Sequence, residues 1–276
     1  MQPARLLGAL GAAAVVAVAA PATAAAMPAN GAAKPTITVS GSTSIAPLSA
    51  KLFKGYLKAK PGSVKFVLLQ GGSDVGINDV ARGRVPIGAS SRDPKPSDPG
   101  GLTFSRIARD GVCVVTNPDN PVPNLSQEQI QNIFAGRIRS WSDVPGATAT
   151  GTIDLVTRTA ASGTQDAFQN IFMGPDLNIS SSASQQSSNG TAQNAIRSNE
   201  NAIGYLDFDF TEGTHTVSYK GVACNLRNAK AGTYGGVRNF FYVTRGAPKG
   251  ASKKFIDWVR NSGPAKRIVA KNWVPR

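Results

Sequence analysis

Small hydroxyl residues recur in this 276-residue chain directly after short apolar runs, each time where a helical pattern begins. In residues 36–56, Gly41, Ser42, Thr43 and Ser44 separate an alternating segment containing Ile37 and Val39 from Ile45, Leu48, Leu52, Phe53 and Tyr56 at helical spacing. Ser91 and Arg92 follow the apolar run 85–89, and Arg158, Ser162, Gly163 and Thr164 follow the run 153–157. Ser73 stands at a similar junction after residues 63–69, and Ser188 stands just ahead of a helical stretch at 192–198. A helix start exposes unpaired N–H groups and the positive end of the peptide dipole, so a glycine and hydroxyls at such a turn suit an oxyanion. Arg92 and Arg158 add fixed positive charge that can grip oxyanion oxygens in fork geometry. Serine and threonine are also ordinary helix caps, and surface arginines are ordinarily solvated. Repetition of the pattern in both halves of the chain favours the ligand reading.

The elements that must position these residues alternate. Strands are expected at 36–40, 63–69, 85–89, 112–115, 153–157, 203–210, 217–222 and 238–243. Between them lie helical stretches: one near Ser44 with Pro47 in its first turn, and one after Ser73 carried by Ile77, Val80 and Ala81. A third starts at the capping box of Ser126 and Gln129 and ends at Gly136, a fourth carries Phe168, Ile171 and Phe172, and the last runs over 252–261. Alternating strands and helices make the class α/β, in which ligands sit beyond the carboxyl ends of strands.

Residues 1–26 are read as a signal peptide: Arg5 precedes about fifteen small or apolar residues and two cleavage-like triplets, Ala22-Thr23-Ala24 and Ala24-Ala25-Ala26. Residues 27–34 are read as a flexible leader, and the product is expected to be secreted, with cell-wall association open. No cysteine stands at the cleavage site to take a lipid anchor. Thirty Lys and Arg against sixteen Asp and Glu give +14, a balance that favours anionic company outside the cell. The basic residues are dispersed and few aromatics interleave with them, so no nucleic-acid partner is expected. Cys113 and Cys224 in an oxidising compartment suggest a disulfide, the alternative being two separate buried thiols. One histidine and two cysteines cannot assemble a zinc site, and no cofactor is implied. No G-x-S-x-G elbow, S-x-x-K or GK[ST] loop is present, so no catalytic residues are assigned and the chain is not expected to be an enzyme.

The ordered blocks GSTSIAPL, LQGGSDVGI, IGASSRDP, DGVCVVTN, LSQEQIQNIFAGRIRSWSDV, VTRTAASGTQDAF, NAIGYLDF and VRNFFYVTRG span nearly the whole mature chain. Together they resemble the phosphate-binding proteins of high-affinity phosphate ABC importers, in the periplasmic-binding-protein type II superfamily. The resemblance implies a monomeric two-lobe α/β fold with two hinge strands, with residues 35–111 and 211–276 in lobe I and 112–210 in lobe II. It places Cys113 and Cys224 on or near the first-lobe side of the hinge, where a bridge fits. It implies inorganic phosphate as ligand and an ABC permease as partner. The ligand set it implies is Ser42, Thr43, Ser44, Ser91, Arg92, Arg158, Ser162, Gly163 and Thr164, with Ser73 and Ser188 as weaker members. Asp74 stands where another small hydroxyl residue would be expected. A carboxylate there, or at Asp93, would accept a hydrogen bond from protonated phosphate and so discriminate against sulfate, which has no proton to give. The competing readings are a binder of another oxyanion or of anionic wall polymers, without a transport role.

Overall fold

Ile37 and Val39 alternate with polar neighbours in β1 (Thr36–Gly41), and both are buried beneath α1 (Ala46–Ala59), whose Leu48, Leu52, Phe53 and Tyr56 line one helix face. The computed structural model describes residues 33–276; the expected signal peptide and nearly all of the leader lie outside the described residues. In chain order β2 (Lys65–Gln70), α2 (Ser73–Ala81), β3 (Ile87–Ser90) and the fifteen-residue β4 (Leu102–Thr116) follow. Next come β5 (Asn124–Leu125), α3 (Gln127–Phe134), β6 (Asp154–Arg158) and α4 (Gly163–Phe168). They are followed by β7 (Ser184–Gln186), α5 (Asn189–Arg197), β8 (Ala202–Asp207), β9 (His215–Thr216) and β10 (Ser218–Tyr219). The chain finishes with α6 (Leu226–Ala231), β11 (Val237–Arg245), α7 (Gly250–Asn261) and α8 (Gly263–Asn272).

Eight strands form a curled sheet in the order β2-β1-β3-β11-β4-β8-β6-β7, with β9 added against β4, while β5 and β10 pair separately as a two-stranded sheet. β4 is the strand that joins its two halves. Its residues up to Gly111 pair with β11, and from Val112 onward it pairs antiparallel with β8. The chain crosses a second time at Gly236, whose carbonyl accepts the Val112 N–H at 2.7 Å. Gly111 has no room for a side chain: a Cβ there would lie 2.2 Å from the Phe208 ring. The fold is therefore two α/β lobes joined by two adjacent crossing strands.

The buried apolar side chains segregate accordingly. One cluster gathers Ile37, Val39, Leu48, Leu52, Phe240, Tyr242, Phe255 and Trp273 around β1, β3 and β11 under α1, α7 and α8. The other gathers Val114, Ile133, Phe134, Phe168, Phe172, Tyr205 and Leu206 around β4, β6 and β8. Val217, Tyr219, Cys224 and Tyr234 pack into this second cluster. Cys113 and Cys224 are bonded, with Cα atoms 5.6 Å apart, so the bridge lies within the second core, where it ties the returning segment to β4.

Three local differences from the sequence expectation have simple causes. Residues 217–222 do not form one strand, because Lys220 takes a positive φ of 52° ahead of Gly221 and a tight turn joins Tyr219 to Val222. Strand β8 stops at Asp207 and a 3-10 turn covers Phe208–Phe210. A further helix, α8, follows α7 without a loop, capped by Ser262 with Pro264 in its first turn, so residues beyond Asn261 are helical as well.

Candidate functional site

Seven hydroxyls buried to 5% exposure or less converge where the two lobes meet: Ser42, Thr43, Ser44, Ser73, Ser91, Ser162 and Thr164. Those from the first lobe stand at the carboxyl ends of β1 and β3 and at the start of α2; those from the second stand at the start of α4, just beyond β6. Ser42 donates to Ser91 at 2.8 Å, and Ser73 accepts the Ser91 N–H at 3.0 Å. Ser44 and Thr164 face each other across the lobes at 3.0 Å. Gly163 is obligatory at this seam, since a Cβ would sit 2.3 Å from Ser73 Oγ and 2.6 Å from Ser91 Oγ. Ser162 caps α4, accepting the Thr164 and Gln165 N–H groups at 3.2 and 3.3 Å.

Arg158 enters from the end of β6, 2% exposed. Its Nε and Nη2 donate to the carbonyls of Gln186 and Ser187, Nη1 donates to Asn189 Oδ1 at 2.6 Å, and Nη2 also reaches Thr43 Oγ1 at 3.3 Å. Three residues that the sequence reading did not assign complete the cluster. Asn189 opens α5 and gives its amide N–H groups to Thr43 at 3.2 Å, Ser44 at 3.0 Å and Asp207 at 2.7 Å. Arg238, at the start of β11, donates to Thr164 and Ser44, each at 2.9 Å, and pairs with Asp207. Asp207 ends β8 and is 1% exposed. The signal for Arg238 was present in the sequence as a charged residue beside an apolar strand, where an unpaired charge is costly.

Arg92, Asp74, Asp93 and Ser188 are placed elsewhere. The Arg92 guanidinium turns away from the hydroxyls: Nε donates to Asp74 at 2.8 Å and Nη1 and Nη2 grip Asp98 at 3.0 and 2.5 Å. Burial works against its charge, but the bonds to Asp98 and Asp74 more than offset this and hold it more firmly protonated than free arginine. Asp74, at the exposed edge of α2, is thus engaged by an arginine, and Asp93 accepts from Asn239 at the surface. Ser188 caps α5 in a capping box with Thr191, and it is its neighbour Asn189 that turns inward.

The electrostatics favour an anion. Burial pulls the Arg158 guanidinium below its ordinary pKa, opposed by Asp207. On its far side Arg238 has Asp110, with the carboxylate 3.7 Å away, 1% exposed and neither oxygen hydrogen-bonded. Burial and then repulsion from Asp207 hold the Asp110 carboxyl well above the usual range, despite the attraction of Arg238. Two guanidiniums, those of Arg158 and Arg238, thus stand among hydroxyls in a buried space.

Two lobes on a double crossing, with a buried set of anion-suited donors at their seam, define a two-lobe binding protein. A family model described as a PBP superfamily domain matches residues 26–262. A structure from Clostridium perfringens described as a phosphate ABC transporter substrate-binding protein, solved with bound phosphate, is 31% identical. It superposes with a TM-score of 0.82 over 87% of this chain and 99% of that one. The chain belongs to the PBP superfamily, in the family of phosphate ABC transporter substrate-binding proteins. The phosphate-binding protein PstS of Bacillus subtilis is 27% identical over 246 residues, covering 87% of this chain and 80% of that protein. An ABC-type phosphate transport receptor from Vibrio cholerae is 26% identical, with a TM-score of 0.70 over 87% of this chain and all of that one. Among the described residues no helix is long and apolar enough to cross a membrane.

Proposed function

We propose that this chain is a secreted solute-binding protein that captures one inorganic phosphate ion by closing its two lobes and delivers it to an ABC permease for uptake. The observation that carries the reading is the set of donors at the lobe seam: Ser44 and Thr164, from opposite lobes, are within hydrogen-bond distance of each other and of Arg238. Relatives with phosphate in their names, one of them with the ion bound, support the choice of ligand. On this reading Ser42, Thr43, Ser44, Ser91, Arg158, Ser162, Gly163 and Thr164 provide the ligand's hydroxyl, amide and guanidinium partners, joined by Asn189 and Arg238.

Asp207 takes the role the sequence gave to Asp74 or Asp93. Its carboxylate lies within the donor set, so a protonated phosphate has an acceptor for its O–H, whereas sulfate brings only repulsion. Charge-assisted hydrogen bonds contribute roughly 1.5–3 kcal/mol each. Two arginines and a few neutral donors therefore suffice for about 8 kcal/mol, micromolar affinity. The role is binding rather than catalysis.

The test is heat protection of protein refolded to remove bound ligand. Phosphate is expected to raise the unfolding midpoint of the wild type and to leave Arg158→Ala where it was. Equal protection of both proteins would contradict the assignment.

A further inference from the structure

We infer that lobe I carries a second anion site, remote from the lobe seam, for a small anion with an apolar body, such as an alkyl or aryl phosphate or carboxylate. A cavity of about 810 Å³ opens between the outer part of β4 and β11, the helices α7 and α8, and the last residues of the chain. That volume falls in the range of sites for drug-sized ligands, roughly 300–1,000 Å³, and far exceeds what one inorganic ion fills.

The floor of the cavity is apolar. Ile107, Val259 and Val269 are buried there, and Phe241 meets Phe104 edge-on with ring centroids 5.7 Å apart. The charged side chains of the lining are of one sign: Arg106, Arg260, Lys266 and Arg276 line the same cavity. Among the described residues none of the four makes an ion pair.

Their hydrogen bonds go to neutral groups. Arg106 donates to Asn239 at 3.4 Å and Arg276 to the Arg260 carbonyl at 2.5 Å. Arg260 Nε is buried and has no acceptor. Burial, then the nearby charges of Arg260 and Arg106, lower the Arg276 pKa below that of free arginine. Like-charged side chains gathered with no acidic side chain among them repel, and a buried N–H left unpaired is costly. An anion seated over the Phe104–Phe241 pair would answer both deficits while its apolar part covers the floor.

The inference does not depend on the phosphate reading, because none of these residues touches the hydroxyl cluster. The probe is 8-anilinonaphthalene-1-sulfonate, an aromatic anion whose fluorescence rises in apolar surroundings, titrated into the full-length mature chain. One probe is expected to bind per chain. Octyl phosphate should displace it, while octanol and inorganic phosphate at levels that saturate the seam should not. Arg260→Ala should weaken the probe at least tenfold, as should the exposed charge-reversal pair Arg106→Glu with Lys266→Glu, which leaves the core intact. Probe binding indifferent to both variants, or displaced equally well by octanol, would overturn the inference.

Discussion

Gly163→Ala places one methyl group at the seam of the two lobes. Its Cβ would lie 2.3 Å from Ser73 Oγ, 2.6 Å from Ser91 Oγ and 2.9 Å from the backbone carbon of Ser91. Ser73 cannot swing aside, since it is fully buried and its Oγ is the acceptor of the Ser91 N–H. The start of α4 must therefore withdraw, by roughly 1 Å if ordinary contact near 3.5 Å is to be restored. Such a shift stretches the Ser44–Thr164 contact of 3.0 Å and the Arg238–Thr164 bond of 2.9 Å out of hydrogen-bond range. Overpacking costs about 1–3 kcal/mol, and each lost hydrogen bond adds about 0.5–1.5 kcal/mol. An open arrangement of the lobes is free of the clash, so the penalty of about 2–6 kcal/mol falls on closure, and phosphate should bind at least roughly thirtyfold more weakly. Isothermal titration measures the loss, and the unfolding midpoint without phosphate is the control, expected to move little because both cores are untouched. Wild-type affinity in this variant would refute the argument that the two lobes close on the ion at Gly163.

Other consequences follow from the same geometry. Asp207→Asn removes the carboxylate charge that repels sulfate and leaves only a neutral acceptor for the ligand O–H, so the preference for phosphate over sulfate should narrow by roughly tenfold or more in competition titrations; an unchanged ratio would place the discrimination elsewhere. Reducing the Cys113–Cys224 bridge, which spans 111 residues, should lower the unfolding free energy by about 2–5 kcal/mol in denaturant titrations without changing phosphate affinity. An affinity that fell with reduction would mean that the bridge also shapes the seam. Burial, opposed by Lys51 and reinforced by Asp207, raises the Asp209 carboxyl from the ordinary 3.8 to about 6. The folded state thus holds this proton more tightly than the unfolded chain. The group's stabilising contribution is complete below the unfolded value and is lost as pH rises through about 6. Asp209→Asn should therefore gain on the wild type in midpoint between pH 4 and 7 and gain nothing further above it; a gap constant over that range would contradict the shift.

The sequence revealed much of this architecture because its periods are clean. Ile37 and Val39 mark β1, Leu48 to Tyr56 mark α1, and the Ser126–Gln129 box starts α3 where it was read. The hydroxyl turns were legible because glycine and small hydroxyls after a strand recur in both halves of the chain. Side-chain direction was not legible. Arg92 and Arg158 both follow a strand, yet Asp74 and Asp98 draw one outward while Asn189 and the carbonyls of residues 186 and 187 hold the other inward. Arg238, Asp207 and Asp110 come from three strands distant in sequence, and only the sheet order β11-β4-β8 makes them neighbours. Asn189 was hidden by its neighbour, because one position along a helix start separates a cap from an inward-facing amide.

The central claim is that the seam between the lobes holds one phosphate ion. Titrating ligand-free protein with phosphate in excess sulfate, beside Arg158→Ala, measures it directly. One site per chain, little affected by sulfate and lost in the variant, is the predicted result. Binding without saturation at one equivalent, or binding that sulfate abolishes and Arg158→Ala leaves intact, would contradict it.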